Sequence, residues 1–148
     1  FPFFDRFFTD VVPIRPYRPR AWSGGLLCVS AAGLALIGVW PNLLFPLLWV
    51  SPLVIILTSQ TLLGEGHVLS SVTMGNWRPV VTAALAALIC GFFWEMWNVY
   101  SLAKWVYSIP YVQRFHIFEM PILGYAGYLP FGLECAIIGE WVLGRGRR

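Results

Sequence analysis

The sequence predicts an all-α membrane protein: a polytopic bundle of four transmembrane helices with an aromatic interfacial loop. Three observations predict it. Apolar residues make up 58% of the 148 and charged residues only 11%, against about 45–50% and about 25% in a soluble domain. The mean hydropathy of the whole chain is +0.69. The basic residues gather at the ends of the apolar runs instead of forming a stripe. A net charge of +3 without such a stripe excludes nucleic acid as a partner. The length leaves room for a handful of spans and for no separate soluble domain.

The expected organisation is an interfacial N-terminal segment (1–21), a single transmembrane domain (22–143) and a basic cytoplasmic tail (144–148). In the first segment Pro13, Pro16 and Pro19 oppose a regular helix. Five phenylalanines between Phe1 and Phe8 favour an interface over free solvent. The stretch lacks the basic start and unbroken apolar run of a signal peptide. Since the chain begins with Phe1, a processed product or part of a longer chain is expected.

The first span is read at 22–40, uncharged, rich in Gly and Ser, and bracketed by Trp22 and Trp40 as interfacial anchors. Pro41–Asn42 makes a turn. The second span, 43–63, contains Pro46 and Pro52, tolerated as kinks in a membrane bundle. Residues 64–78 form a loop with one short interfacial helix. His67 in that loop is read as a surface histidine, with a pigment or metal ligand as the alternative. The third span, 79–100, opens on Pro79, a favoured first helical residue. Residues 101–118 carry Trp105, Tyr107, Tyr111, Phe115 and Phe118 and are expected to fold back onto the membrane surface. The fourth span, 120–143, contains Pro121, Pro130 and four glycines and should be kinked or briefly broken.

Charge orients the bundle. Arg6, Arg15, Arg18, Arg20, Arg78, Arg145, Arg147 and Arg148 fall on one side of four spans, and Lys104 and Arg114 on the other. The positive-inside rule then makes both termini cytoplasmic. Cys28, Cys90 and Cys135 stand alone in apolar runs, without metal-ligand or disulfide spacing. No metal is expected.

Three carboxylates, Glu95, Glu119 and Glu134, lie in or beside apolar sequence, where each needs a partner, a proton or a task. Glu95 and Asn98 share a helix face. Lys104 is within reach, so a Glu95–Lys104 or Glu95–Asn98 bond is expected, in a structural polar cluster of Glu95, Asn98, Lys104 and Glu119. Glu119 suits the N-terminus of the fourth span. Glu134 is deeper and is expected to bond across helices, with Ser51 or Thr58 as partner. An aromatic interface is expected from Trp94, Trp97, Trp105, Tyr107 and Tyr111. The catalytic alternative uses the same residues: a carboxyl acid (Glu95, Glu119 or Glu134) protonates a double bond, and aromatic faces stabilise the cation that forms.

The pieces FPLLWVSPL (45–53), GNWRP (75–79), FFWEMWNVYSLAKWVYSIPY (92–111) and FEMPILGYAGYLPFGLE (118–134) resemble the C-terminal half of an uncharacterised bacterial family of integral membrane proteins. The resemblance implies a bacterial inner membrane location and a related membrane half preceding this one. WVYSIPY followed by FEMP is similar to the W-x-Y…P…P-E-E pattern of small membrane carotenoid (lycopene) cyclases, but with one Glu before Pro121 in place of an acidic pair after the proline.

Three function classes follow. The first and preferred is an accessory or structural subunit of a larger membrane complex, respiratory or photosynthetic. It would pack against partner subunits and lipids, with carotenoid, quinone or bacteriochlorophyll contacts. The second is a membrane enzyme acting on an isoprenoid or carotenoid. The third is a small transporter or proton path.

Overall fold

The computed structural model describes residues 8–9, 11–14 and 19–143. Most of the N-terminal segment and the tail 144–148 therefore lie outside the described residues. The elements in order are α1 (Pro19–Leu36), α2 (Pro41–Leu44), α3 (Leu47–Leu63), a 3-10 helix (Val68–Met74), α4 (Arg78–Val99), strands β1 (His116–Ile117) and β2 (Met120–Pro121), a second 3-10 helix (Ile122–Gly127) and α5 (Tyr128–Val142).

The protein is mostly helical, and two helical stretches, Arg78–Tyr100 and Ile122–Val142, are long and apolar enough to cross a membrane. Leu47–Leu63 and Val68–Met74 make a third only if their pair, bent by 71°, counts as one span. The apolar part of α1, Arg20–Leu36, is shorter.

Several expected boundaries move. The first helix begins at Pro19, where the fixed φ of proline suits a first helical residue. It ends at Leu36, because Trp40 precedes Pro41 and is held out of the helical region at φ −127°, ψ 64°. The second expected span splits at Phe45–Pro46 into α2 and α3. Residues 120–127 of the fourth are not regular α-helix; that begins only at Tyr128. The helical expectation holds for most of the described residues; the addition to it is one short antiparallel hairpin, with His116 opposite Pro121 and Ile117 opposite Met120.

The helices run alternately up and down. A Cβ added at Gly33 of α1 would stand 2.5 Å from Leu47, at the start of α3. One added at Gly64, after α3, would stand 3.5 Å from the Arg20 guanidinium. Along α4 and α5, Gly132 lies against Ala83 and Ala87, and Gly91 against the ring of Tyr128. Small residues at these contacts allow the close backbone approach that drives helix association in lipid. The loop 101–118 therefore joins the ends of α4 and α5 beside the α1–α3 turn, which we call the loop end. Arg20, the first 3-10 helix and Arg78 mark the opposite end.

The polarity of the bundle is inverted relative to a soluble domain. Among the described residues its buried polar positions are Ser23, Ser30, Ser51, Thr58, Gln60, Glu95 and Asn98. Leu43, Ile89, Trp94 and Trp97 are exposed. In hydrocarbon an exposed leucine costs nothing, whereas a polar group needs a partner inside.

Thr58 finds one on its own helix, donating to Val54 O at 2.6 Å. Glu134 finds one across the bundle, but neither Ser51 nor Thr58: the backbone N–H of Leu53 donates to Glu134 Oε1 at 3.0 Å. Leu53 follows Pro52, which removes one main-chain hydrogen bond and opens the preceding turn, so that a side chain gains access to the helix backbone.

These contacts predict two outcomes in thermal denaturation. A Cβ at Gly132 would stand 2.3 Å from the Ala83 carbonyl oxygen, so Gly132→Val should lower stability by at least the ~1–3 kcal/mol of an overpacked core. Gly139→Ala meets nothing within 4 Å and should be tolerated. Glu134→Gln keeps an acceptor for Leu53 and should be mild. Glu134→Ala orphans a buried donor and should cost about 1–3 kcal/mol.

Candidate functional site

Glu95 lies in the last turn and a half of α4 and is fully buried, with 0% exposure. Its face of the helix is set by Gly91, four residues earlier, which leaves the volume that the Tyr128 ring fills: three ring atoms lie 2.6 Å from where a Cβ would stand. Tyr128 is the first residue of α5, and its hydroxyl donates to Glu95 Oε1 at 2.8 Å. The hydroxyl of Tyr107, from the loop, donates to the same oxygen at 2.6 Å. Tyr107 oxygen in turn accepts from Trp105 Nε1 at 2.6 Å. One carboxyl oxygen thus ties together α4, α5 and the loop. The other, Oε2, is buried without a hydrogen-bond partner among the described residues.

Asn98, one turn on and 2% exposed, acts on the loop backbone. Its Nδ2 donates to Trp105 O at 2.9 Å, and its Oδ1 accepts from Trp105 N at 3.0 Å. Both ends of the side-chain amide are used, which fixes its orientation. The expected bonds from Glu95 to Lys104 or Asn98 are corrected accordingly. Lys104 pairs with Glu119 at 2.5 Å on the surface, where an ion pair contributes little. The physical reason is the path of the loop: Asn98 holds the main chain of Trp105 against the end of α4, and Lys104 next to it meets the hairpin instead.

Glu119 does not sit at a helix N-terminus. It occupies the two-residue turn between β1 and β2. The first turn residue, Phe118, has φ 58°, as Tyr111 has 68° and Phe115 52°. Positive φ disfavours a side chain by about 1–2 kcal/mol per residue. Such residues persist where surrounding contacts over-determine them. For Phe118 one such contact is Phe92 of α4, at a ring separation of 5.3 Å.

The expected aromatic interface divides. Trp94 packs against Trp105 with the rings tilted and 5.9 Å apart, and Tyr107 turns inward to Glu95. Trp97 packs with Phe93 at 6.5 Å and faces outward, 63% exposed; Tyr111 is 86% exposed. Two residues of the site went unforeseen. Tyr128 was signalled only by Gly91 one turn before Glu95, a space that some ring had to fill. Tyr125 is buried at 6.0 Å from the Tyr128 ring, and its hydroxyl donates to Ile117 O at 3.2 Å.

Glu95, Glu119 and Glu134 therefore occupy three separate places. None of them lines the cavity of about 770 Å³ at the opposite end, whose walls include His67. His67 Nε2 lies 3.2 Å from Thr61 Oγ1. The Thr61 hydroxyl donates to Leu57 O, so that nitrogen supplies the hydrogen between them. Among the described residues no three His, Cys, Asp or Glu side chains converge on a point that would hold a metal. Chemically, the Glu95 centre is an anchor, an acceptor saturated on one oxygen by two phenols of its own chain.

Burial, and then the hydrogen bond to Glu95, push the Tyr107 hydroxyl up to about 12. The unfolded chain ionises this group near 10. The folded state therefore holds the extra proton between those values. Its contribution to stability is complete below about pH 10 and is lost as pH rises through about 12. Phenolate absorbance should show a tyrosine step near the upper value, and Tyr107→Phe should lower the amplitude of that step by one phenolate. Asn98→Ala should cost about 1–3 kcal/mol, since it strands two loop backbone groups. No protein-family model, curated protein or solved structure matches the chain.

Proposed function

We propose that the chain is an accessory, structural subunit of a larger complex in a bacterial inner membrane. It crosses the bilayer four times with both termini cytoplasmic, and the aromatic loop 101–118 lies at the outer interface. One observation carries the reading: each of the three candidate acids is already engaged. Glu95 holds two tyrosines, Glu119 holds Lys104, and Glu134 holds the Leu53 amide. Carboxylates used this way fix a shape. The shape they fix presents Trp94, Trp97, Phe92 and Phe93 on the outside of α4, an aromatic surface that curves round the helix and suits other helices, lipids, or the rings of quinones, carotenoids and bacteriochlorophyll.

Four spans are supported by the alternation of α1, α3, α4 and α5, with Arg20 and Arg78 at one end and Lys104 and Arg114 at the other. Cys28, Cys90 and Cys135 are free, so topology labelling needs a cysteine-free background. In it, Gln113→Cys should label from outside and Arg148→Cys from inside; labelling of both from one side contradicts the orientation.

Function is tested by gentle extraction of the chain from its native membrane. The reading expects partner subunits at fixed stoichiometry. A solitary chain that turns over a carotenoid or isoprenoid would establish the enzyme reading, and one that carries protons or solutes across vesicles the transporter reading.

A further inference from the structure

The cavity at the Arg20–Arg78 end is walled by α1, α3, the first 3-10 helix and the entry to α4, with Leu26, Val54, Leu57, Leu69 and Val72 among its apolar lining. Polar side chains also reach it, but most spend their hydrogens on the protein itself. Thr58 donates to Val54 O at 2.6 Å, Thr61 to Leu57 O at 2.8 Å and Thr73 to Ser70 O at 2.7 Å. The Trp77 indole donates to Val12 O at 3.4 Å, and His67 Nε2 is taken up by Thr61. Among the described residues no Asp, Glu, Lys or Arg lines the wall. Burial pushes the His67 imidazole below its usual pKa, so it too is neutral at pH 7.

A strap crosses this end. The described residues between Phe8 and Ile14 run antiparallel to Val72–Trp77. Trp77 N donates to Phe8 O at 2.9 Å, Val11 N to Gly75 O at 3.2 Å and Ile14 N to Val72 O at 3.4 Å. Ile14 is itself part of the wall. Gly75 lets the strap lie this close: its φ is +82°, and a Cβ there would stand 2.6 Å from Val11 O. Along α1 the cavity is open to the side. Trp22 and Leu26 line it and remain 67% and 50% exposed, so it reaches the lateral surface, where a membrane protein meets hydrocarbon.

We infer that this cavity takes one acyl chain of a membrane lipid, drawn in sideways past Trp22 and Leu26 and retained beneath the strap, whatever headgroup the lipid carries. A volume of about 770 Å³ lies in the range of small-molecule pockets, roughly 300–1,000 Å³. Water fills such a space poorly, since a buried water needs about two to four polar partners and most in this wall are already used. Left empty, the wall forfeits the dispersion contacts of every residue that lines it. A hydrocarbon chain restores those contacts and asks for no hydrogen bond. A phosphate finds no cation in the wall, so the headgroup stays outside. The side opening faces the bilayer, whose acyl chains outnumber every other hydrocarbon there. The inference rests on the membrane reading above but is independent of any partner subunit.

The test uses the full chain in phosphatidylcholine nanodiscs doped with a phosphatidylcholine that carries a diazirine on one acyl chain. After illumination, adducts are located by peptide mass spectrometry. They should fall on Leu69 and Val72 in the cavity, and also on Ile89 and Phe93, which are exposed on α4 and report ordinary lipid contact. Unlabelled phosphatidylcholine and phosphatidylglycerol should suppress the cavity adducts equally. Val54→Phe, which fills the cavity, should remove the adducts at Leu69 and Val72 and leave those on α4. Leu26→Trp fills it from the exposed side should the first variant fail to fold, with unchanged helical circular dichroism as the control for both. Gly75→Ala, which pushes against Val11 O, should let labelled lipid supplied from vesicles reach Leu69 and Val72 sooner than in the unaltered chain. No adduct in the cavity, adducts that persist in a folded filled variant, or suppression by one headgroup alone would overturn the proposal. So would displacement by a neutral polyprenyl alcohol but not by phosphatidylcholine at equal concentration. Unchanged arrival in Gly75→Ala would overturn the role given to the strap. Failure to find partner subunits would remove the assembly reading and leave this result standing.

Discussion

A carboxyl group buried at 0% exposure in an apolar bundle has to be supplied with hydrogen-bond donors, and much of the loop end follows from how Glu95 obtains them. Water is excluded, and Lys104 is engaged on the surface by Glu119. The donors are phenols, which bring an apolar ring and a polar tip together. One comes from Tyr128, which fixes where α5 begins relative to α4. The other comes from Tyr107, which draws the loop back over the helix ends. Gly91 is the steric complement of this arrangement, since any side chain there would meet the Tyr128 ring. Asn98 completes it by pairing with the backbone of Trp105.

The same rule, that polar groups in an apolar medium must be satisfied inside, acts on the rest of the bundle. Pro52 opens the α3 backbone, and Glu134 answers from α5. Thr58 and Thr61 return their hydroxyls to the preceding turn of their own helix. Helix contacts themselves are left to small residues such as Gly33 and Gly132, because lipid chains compete equally for large apolar side chains. The surplus of exposed aromatic and aliphatic surface follows, and with it a protein suited to contact with membrane lipid.

Sequence alone placed α4 to within one residue at each end, because Pro79 and the unbroken run to Asn98 are local signals. It also drew attention to Glu95 and Asn98, because polar groups in apolar runs are conspicuous, and to Tyr107 as one ring of an aromatic loop. It could not match them correctly. The choice of Tyr107 over Lys104 as partner depends on the loop path, and that path passes through Tyr111, Phe115 and Phe118 at positive φ, a conformation that nothing in an aromatic residue advertises. The hairpin escaped for the same reason: its turn is Phe-Glu, not the glycine or asparagine pair that usually marks one. Tyr128 was hidden in a span read from residue 120 as kinked or briefly broken, without a sign of where the break falls; Ile122–Gly127 is a 3-10 helix and re-aims the chain before α5. Glu134 was assigned to the right neighbouring helix and the wrong group, because a proline-exposed amide leaves no trace in the side-chain sequence.

The central claim is that Glu95 works as an anchor for the loop. Hydrogen–deuterium exchange of the intact protein and of Glu95→Ala, resolved by peptide, tests it most directly. The account predicts faster exchange across 101–125 in the variant, while α1 and α3 exchange as before. Unchanged protection of the loop after removal of the carboxyl would contradict it.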